Sequence, residues 1–154
     1  RVPCVVHAPG ITKPGSVSDE PIITVDFYPT IQALTGVKGV AAHNASVDGM
    51  SLLPVMKDAT AKLDRDAIYW HYPHYHPGGA TPYSAIRSRD WMLVEFYEGN
   101  RAELFHLSVD IGETKDLAAA MPERAASMRK RLEAWRKSAG AQSPRKNPKA
   151  KRGE

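Results

Sequence analysis

The sequence predicts an α+β chain in two parts: a loop-rich segment carrying short helices, then a small four-stranded antiparallel sheet packed by one long helix. Three observations predict it. Four stretches rich in aromatic and β-branched residues, at 67–72, 83–87, 91–97 and 102–107, are separated only by turn-forming residues. A stripe of Ala125, Met128, Leu132 and Trp135 recurs at helical spacing after Pro122. Before residue 64, Pro9, Gly10, Pro14, Gly15 and Pro21 interrupt the chain too often for regular structure to run through 9–21.

The elements follow in order. Residues 2–6, Val-Pro-Cys-Val-Val, form a short continuous apolar run and are expected to be a strand buried on both faces, as in a mostly parallel sheet. Asp26 stands as the N-cap of a helix over 27–35, with Pro29 in the first turn and Gly36 as a left-handed stop. Phe27, Ile31 and Leu34 share its apolar face. Residues 37–47 are expected to be a loop and 51–57 a short helical turn. In the sheet, Pro73 ends the first strand, Ser88-Arg-Asp90 connects the second and third, and Glu98-Gly-Asn100 the third and fourth. On the final helix Arg129, Lys130, Glu133 and Arg136 are expected to line the solvent side, and the helix to end near Gly140. This gives three regions: 1–63, 64–140 and a basic tail over 141–154.

Composition excludes several classes. The 154 residues suit one modest domain's worth of core, and no apolar run reaches the ~18 residues a membrane span needs. The net charge of +4 is a property of the tail: five of the 21 basic residues and one of the 17 acidic ones lie in 144–154, leaving sixteen of each elsewhere. A neutral body offers no nucleic-acid-binding face, and the tail reads as disordered. One cysteine, Cys4, cannot close an internal disulfide; its apolar neighbours predict a buried, inert thiol. With no initiating Met and no signal segment, the chain reads as a piece of a longer protein. The compartment stays open, an exported (periplasmic or extracellular) location being compatible with the full-length parent.

Six segments in a fixed order carry a family resemblance. They are Arg1-Val-Pro3, Ala8-Pro-Gly10, Asp26-Phe-Tyr-Pro-Thr-Ile-Gln-Ala-Leu-Thr-Gly36, Asp48-Gly-Met-Ser-Leu-Leu-Pro54, Asp64-Arg-Asp-Ala-Ile-Tyr-Trp-His71 and Ala85-Ile-Arg-Ser-Arg-Asp-Trp91. Together they resemble the distal part of the sulfatase family, over roughly residues 1–140. The resemblance implies that 1–63 completes the edge of a large α/β catalytic domain and that 64–140 is its C-terminal subdomain. It implies hydrolysis of a sulfate ester, on a carbohydrate, by a formylglycine nucleophile and a calcium ion in the full-length parent. The groups that make that centre belong to segments preceding Arg1. The cysteine destined for formylglycine sits in a Cys-x-Pro-x-Arg context, which Cys4-Val-Val-His-Ala8 does not supply. No catalytic residue and no cofactor is therefore assigned to this chain, and its expected partners are the missing N-terminal part and a sulfated small molecule or glycan. A related metal-dependent phosphodiesterase-like hydrolase and a stand-alone carbohydrate-binding module are the alternatives.

Two clusters are candidate site residues. His71-Tyr-Pro-His74-Tyr-His76 can be read as a surface strand end, a metal site or a substrate contact. Metal binding by neutral imidazole is disfavoured because Pro73 and Pro77 scatter the rings and no Cys or acid lies nearby. Imidazole donors and tyrosine faces on a loop suit a sulfated sugar, which makes His71, His74 and His76 substrate-binding candidates. Arg87 joins them, because a guanidinium holds sulfate bidentately; the competing reading pairs it with Asp90 or Glu95. Trp91 is expected in the core. Asp48 and Asp64 read as turn residues and Asp58 as a surface group; none has calcium-loop spacing.

Overall fold

The computed structural model describes residues 2–144, in two compact units divided along the chain between Arg65 and Asp66. The first unit holds a 3-10 turn (Thr24–Asp26) and three helices: α1 (Phe27–Thr35), α2 (Ala41–Asn44) and α3 (Leu53–Lys57). The second holds β1 (Ile68–Tyr72), β2 (Tyr83–Ser88), β3 (Trp91–Phe96), β4 (Ala102–His106) and α4 (Pro122–Ser138).

Asp26 organises the first unit in a way the capping argument did not anticipate. It occupies the position before α1, yet its carboxylate caps nothing in that helix. The side chain is fully buried; Oδ2 accepts from the Ile23 amide at 2.9 Å, and Oδ1 from the Met50 amide at 3.0 Å and Arg65 Nη2 at 2.5 Å. One turn on, Thr30 Oγ1 donates to the Asp26 carbonyl at 2.6 Å and accepts from the Leu52 amide at 2.8 Å. The 48–54 turn is thus sewn to α1 by two side chains, with Leu52 buried beneath it. Gly49 is required there, since a Cβ at that position would lie 2.0 Å from the Val25 carbonyl oxygen.

Three expectations change in this unit. Residues 2–6 form no strand, and Val2 and Val5 are 87% and 92% exposed. A strand persists only when neighbours satisfy its N–H and C=O groups, and no described residue pairs with this run. Cys4 lies exposed with it instead of buried. The segment expected as a loop over 37–47 contains α2, held to α1 by Gln32 and Tyr28, both in contact with the Asn44 side chain. The apolar stripe of α1 exists, but Ile31 is 59% exposed and Phe27 and Leu34 about 40% and 38%.

The second unit follows the sequence closely. The sheet has the order β1-β2-β3-β4, all neighbours antiparallel. Register places Tyr69, Ile86, Leu93 and Leu104 in one row across the sheet, where they meet Ala125, Met128 and Leu132 of α4. Each fully buried leucine or isoleucine of that row contributes about 1.5–3 kcal/mol by leaving water. Arg89 (φ 53°) makes the left-handed bend between β2 and β3. The outer edge of β4 is closed by the following loop: Leu117 donates to the Leu104 carbonyl, and Asp116 accepts from the Leu104 amide.

Arg129 and Arg136 do not line the solvent side of α4. They reach the sheet and bind Glu95, Arg129 Nε at 2.9 Å from Oε1 and Arg136 Nη1 at 2.7 Å from Oε2. The second contact is an ion pair without well-directed hydrogen-bond geometry. The cause is register: Glu95 falls in the same face as Leu93, so the helix must bring cations to it. The tail expected to be disordered lies, from residue 145 onward, outside the described residues.

Replacing Asp26 by Ala leaves Arg65 and two amides without their acceptor, which should cost about 3–5 kcal/mol. Urea unfolding followed on α1 resonances should show the midpoint falling accordingly; an unchanged midpoint would remove Asp26 from the centre of this unit.

Candidate functional site

β1 leads directly into the predicted histidine cluster, and the pleat separates its members. His71 falls on the helix-facing side of the sheet, opposite the fully buried Ser84. Its Nδ1 lies 2.8 Å from Ser84 Oγ and 3.2 Å from the Tyr97 hydroxyl, and its Nε2 lies 2.8 Å from the Gln142 carbonyl. A carbonyl only accepts, so Nε2 carries a hydrogen and, in the neutral ring, Nδ1 accepts. Ser84 Oγ and the Tyr97 hydroxyl are 2.9 Å apart, and Arg136 Nη1 donates to that hydroxyl at 3.2 Å. A serine beside a histidine is the arrangement of a nucleophile and its base, but Ser84 has no exposed surface and no substrate could reach it.

His74 and His76 stand on the loop over 73–82, in its exposed stretch 74–80. Both rings approach Tyr72, His74 edge-on at 5.7 Å and His76 tilted at 6.5 Å, while Tyr83 lies 5.9 Å from the same ring. Tyr72 and Tyr83 are register partners on the sheet face opposite α4, so the platform is built by strand pairing and the histidines by the loop. The loop is turned by its own backbone: the His76 amide donates to the Ala80 carbonyl, the Gly79 amide to the His76 carbonyl, and His76 Nδ1 accepts from the Gly78 amide. Gly79 takes φ 92°, which a residue with a side chain rarely adopts. The tip is tied down by Tyr75, whose hydroxyl donates to Glu98 in the β3–β4 turn. That contact, foremost its hydrogen bond, pushes the Tyr75 phenol above its ordinary pKa.

Arg87 lies on the same sheet face as Tyr72 and Tyr83, half-buried, and its Nε donates to the Arg89 carbonyl at 3.3 Å. It pairs with neither Asp90 nor Glu95; Glu95 points to the other face, into the arginines of α4. Trp91 is partly buried, edge-on to His106 at 4.2 Å and covered by the Arg124 guanidinium at 4.3 Å. Asp58 accepts from the Thr60 amide and hydroxyl, which lowers its pKa, as a surface turn residue should. Among the described residues no three His, Cys, Asp or Glu side chains converge to hold a metal ion, and no helix is long and apolar enough to cross a membrane.

Sequence reasoning missed Ser84, Tyr97, Arg136 and Glu98 as neighbours of the cluster. A signal existed for the first: Ser84 and Glu95 are polar residues in strand positions whose period-two partners, Ile86 and Leu93, are core.

Sheet, helix and preceding turn-rich unit agree with known proteins. The family described as N-sulphoglucosamine sulphohydrolase, C-terminal, matches residues 1–138. This chain therefore belongs to the sulfatase family and corresponds to its C-terminal portion. A sulfatase of Formosa agariphila is 33% identical over 147 residues, covering 88% of this chain and 27% of that protein. The N-acetylglucosamine-6-O-sulfatase of Bacteroides thetaiotaomicron is 29% identical over 121 residues, covering 76% of this chain and 21% of the relative. Among solved structures, a protein in complex with its substrate D-glucosamine-2-N,6-O-disulfate superposes with a TM-score of 0.71 at 26% identity, covering 88% of this chain and 28% of its own. A phosphonate monoester hydrolase from Silicibacter pomeroyi, at 24% identity and TM-score 0.63 over 86% of this chain and 28% of its own, shares the fold. The chain thus spans about a quarter of the length of these relatives.

Absorbance titration should find a tyrosine ionising above the ordinary phenol range, and Glu98→Gln should lower that ionisation. Identical titrations of the two proteins would mean that Tyr75 and Glu98 are not paired in solution.

Proposed function

We propose that this chain is the C-terminal part of a sulfatase that hydrolyses sulfate esters on a carbohydrate, and that it completes the fold and helps to choose the substrate. The observation that carries the proposal is the family match over 1–138, joined to relatives whose names specify sulfated glucosamine. The partner is the N-terminal remainder of the same catalytic domain. The open apolar stripe of α1, with Phe27, Ile31 and Leu34 exposed on one face, supports that partner, because aligned apolar side chains mark a surface for another element to cover. In the full-length parent, formylglycine would supply the nucleophile and calcium would offset the charge of the sulfate. The residues described here do not furnish a ligand set for that ion, and no step of the reaction is assigned to them.

The substrate-binding set is His71, His74, His76 and Arg87, with unequal parts. His74 and His76 are exposed beside an aromatic platform, so their ring nitrogens and the face of Tyr72 are available to a sugar. Arg87 has only its Nε engaged among the described residues, which leaves the terminal nitrogens for an anionic group. His71, with both nitrogens bonded, serves the set by fixing the strand end from which the loop departs.

In the full-length parent, His74→Ala and His76→Ala should each lower kcat/KM on the natural sulfated sugar by about 2- to 13-fold, the equivalent of one hydrogen bond of 0.5–1.5 kcal/mol. Turnover of a small aryl sulfate, which lacks the sugar contacts, should change much less. Equal losses on both substrates would assign the histidines to folding or chemistry; no loss on either would make them surface groups, and both outcomes overturn the specificity proposal.

A further inference from the structure

The hydrogen bonds around His71 have a direction, and that direction joins the two ends of the second unit. Arg136 is donor-only, so at 3.2 Å it must give a hydrogen to the Tyr97 oxygen. The Tyr97 hydroxyl lies 2.9 Å from Ser84 Oγ and 3.2 Å from His71 Nδ1, and Ser84 Oγ lies 2.8 Å from that nitrogen, so a hydroxyl hydrogen from one of the two is turned to Nδ1. With Nδ1 accepting, the imidazole hydrogen sits on Nε2 and reaches the Gln142 carbonyl at 2.8 Å. Arg136 is itself fixed by Glu95, which Arg129 also holds. Between Arg136 Nη1 and the Gln142 carbonyl each hydrogen meets an acceptor, the Arg136 contact to Glu95 Oε2 being an ion pair, and Ser84, at the centre, is sealed from solvent.

We propose that this ordered chain makes His71 a clasp: α4 sets the tautomer of the imidazole, and the imidazole straps the residues following α4 onto β1. The contact closes a span of 71 residues, from the first strand of the unit to the segment past its last helix. Among the described residues that segment has few other contacts. Gly140 takes the left-handed conformation that stops the helix, the Ala141 amide donates back to the Arg136 carbonyl, and Gln142 is exposed. Tyr97 and Ser84 are positioning residues: both contact His71 Nδ1, neither contacts Gln142, and they act by keeping Nδ1 an acceptor. The proposal stands independently of any role of the neighbouring loop in substrate choice.

Two measurements on the chain test it. Nitrogen-15 NMR of the imidazoles should find neutral His71 in the Nε2–H form alone; an Nδ1–H form or an averaged signal would overturn the ordering. Amide exchange at Ala141 should then quicken about five- to tenfold in His71→Leu, as expected for loss of one hydrogen bond, while Leu93 and Leu104 keep their protection. His71→Gln places a carbonyl oxygen toward Ser84 and an amide N–H toward Gln142, so it should restore slow exchange at Ala141. Unchanged exchange in His71→Leu, or equal acceleration in both variants, would overturn the clasp. If His71→Leu does not fold, His71→Gln and the tautomer measurement decide the matter.

Discussion

A buried carboxylate is the constraint on which the first unit depends. Taking the Asp26 side chain out of water carries a desolvation cost of several kcal/mol, which is offset only if donors surround it. Those donors are the amides of Ile23 and Met50 and the guanidinium of Arg65, from three separate stretches of chain. Once they must converge, much else follows. Thr30 falls one turn away, where its hydroxyl bridges Asp26 to Leu52. The 48–54 turn passes so close to Val25 that only glycine fits at 49. The spacing between Asp26, Thr30 and Asp48-Gly49 is thus a geometric consequence of satisfying one charge without water.

The second unit is governed by a different rule, the pleat. Tyr69, Ile86, Leu93 and Leu104 meet α4, while Tyr72, Tyr83 and Arg87 point away from it. The same alternation places Ser84 and Glu95 in an otherwise apolar face, and the helix answers with Arg129 and Arg136. It also divides the histidine cluster: His71 enters this polar seam, and His74 and His76 stay outside on the loop.

These two rules explain what could be read from the residues. The four strands and α4 were legible because periods of two and 3.6 with turn residues between them are local signals. α1 and its Gly36 stop were legible for the same reason. Residues 2–6 form no strand, because an apolar run states only that a strand is buried where neighbours are present; the exposure of Val2 and Val5 is what the run is expected to show without a full set of them. α2 has no capping residue and depends on contacts from α1, which lie outside any short window. Arg129 and Arg136 were assigned to solvent because helical periodicity alone cannot show that a glutamate waits across the sheet. His71, His74 and His76 were legible as a group of donors, but not in their different environments.

The chain belongs to the sulfatase family as its C-terminal portion, and the proposed function gives it a part in substrate choice and leaves sulfate-ester cleavage to the remainder of the enzyme. The most direct test is sulfate release from a generic aryl sulfate by the purified chain, with and without calcium. The account predicts no turnover in either condition; calcium-dependent turnover by the chain alone would contradict it.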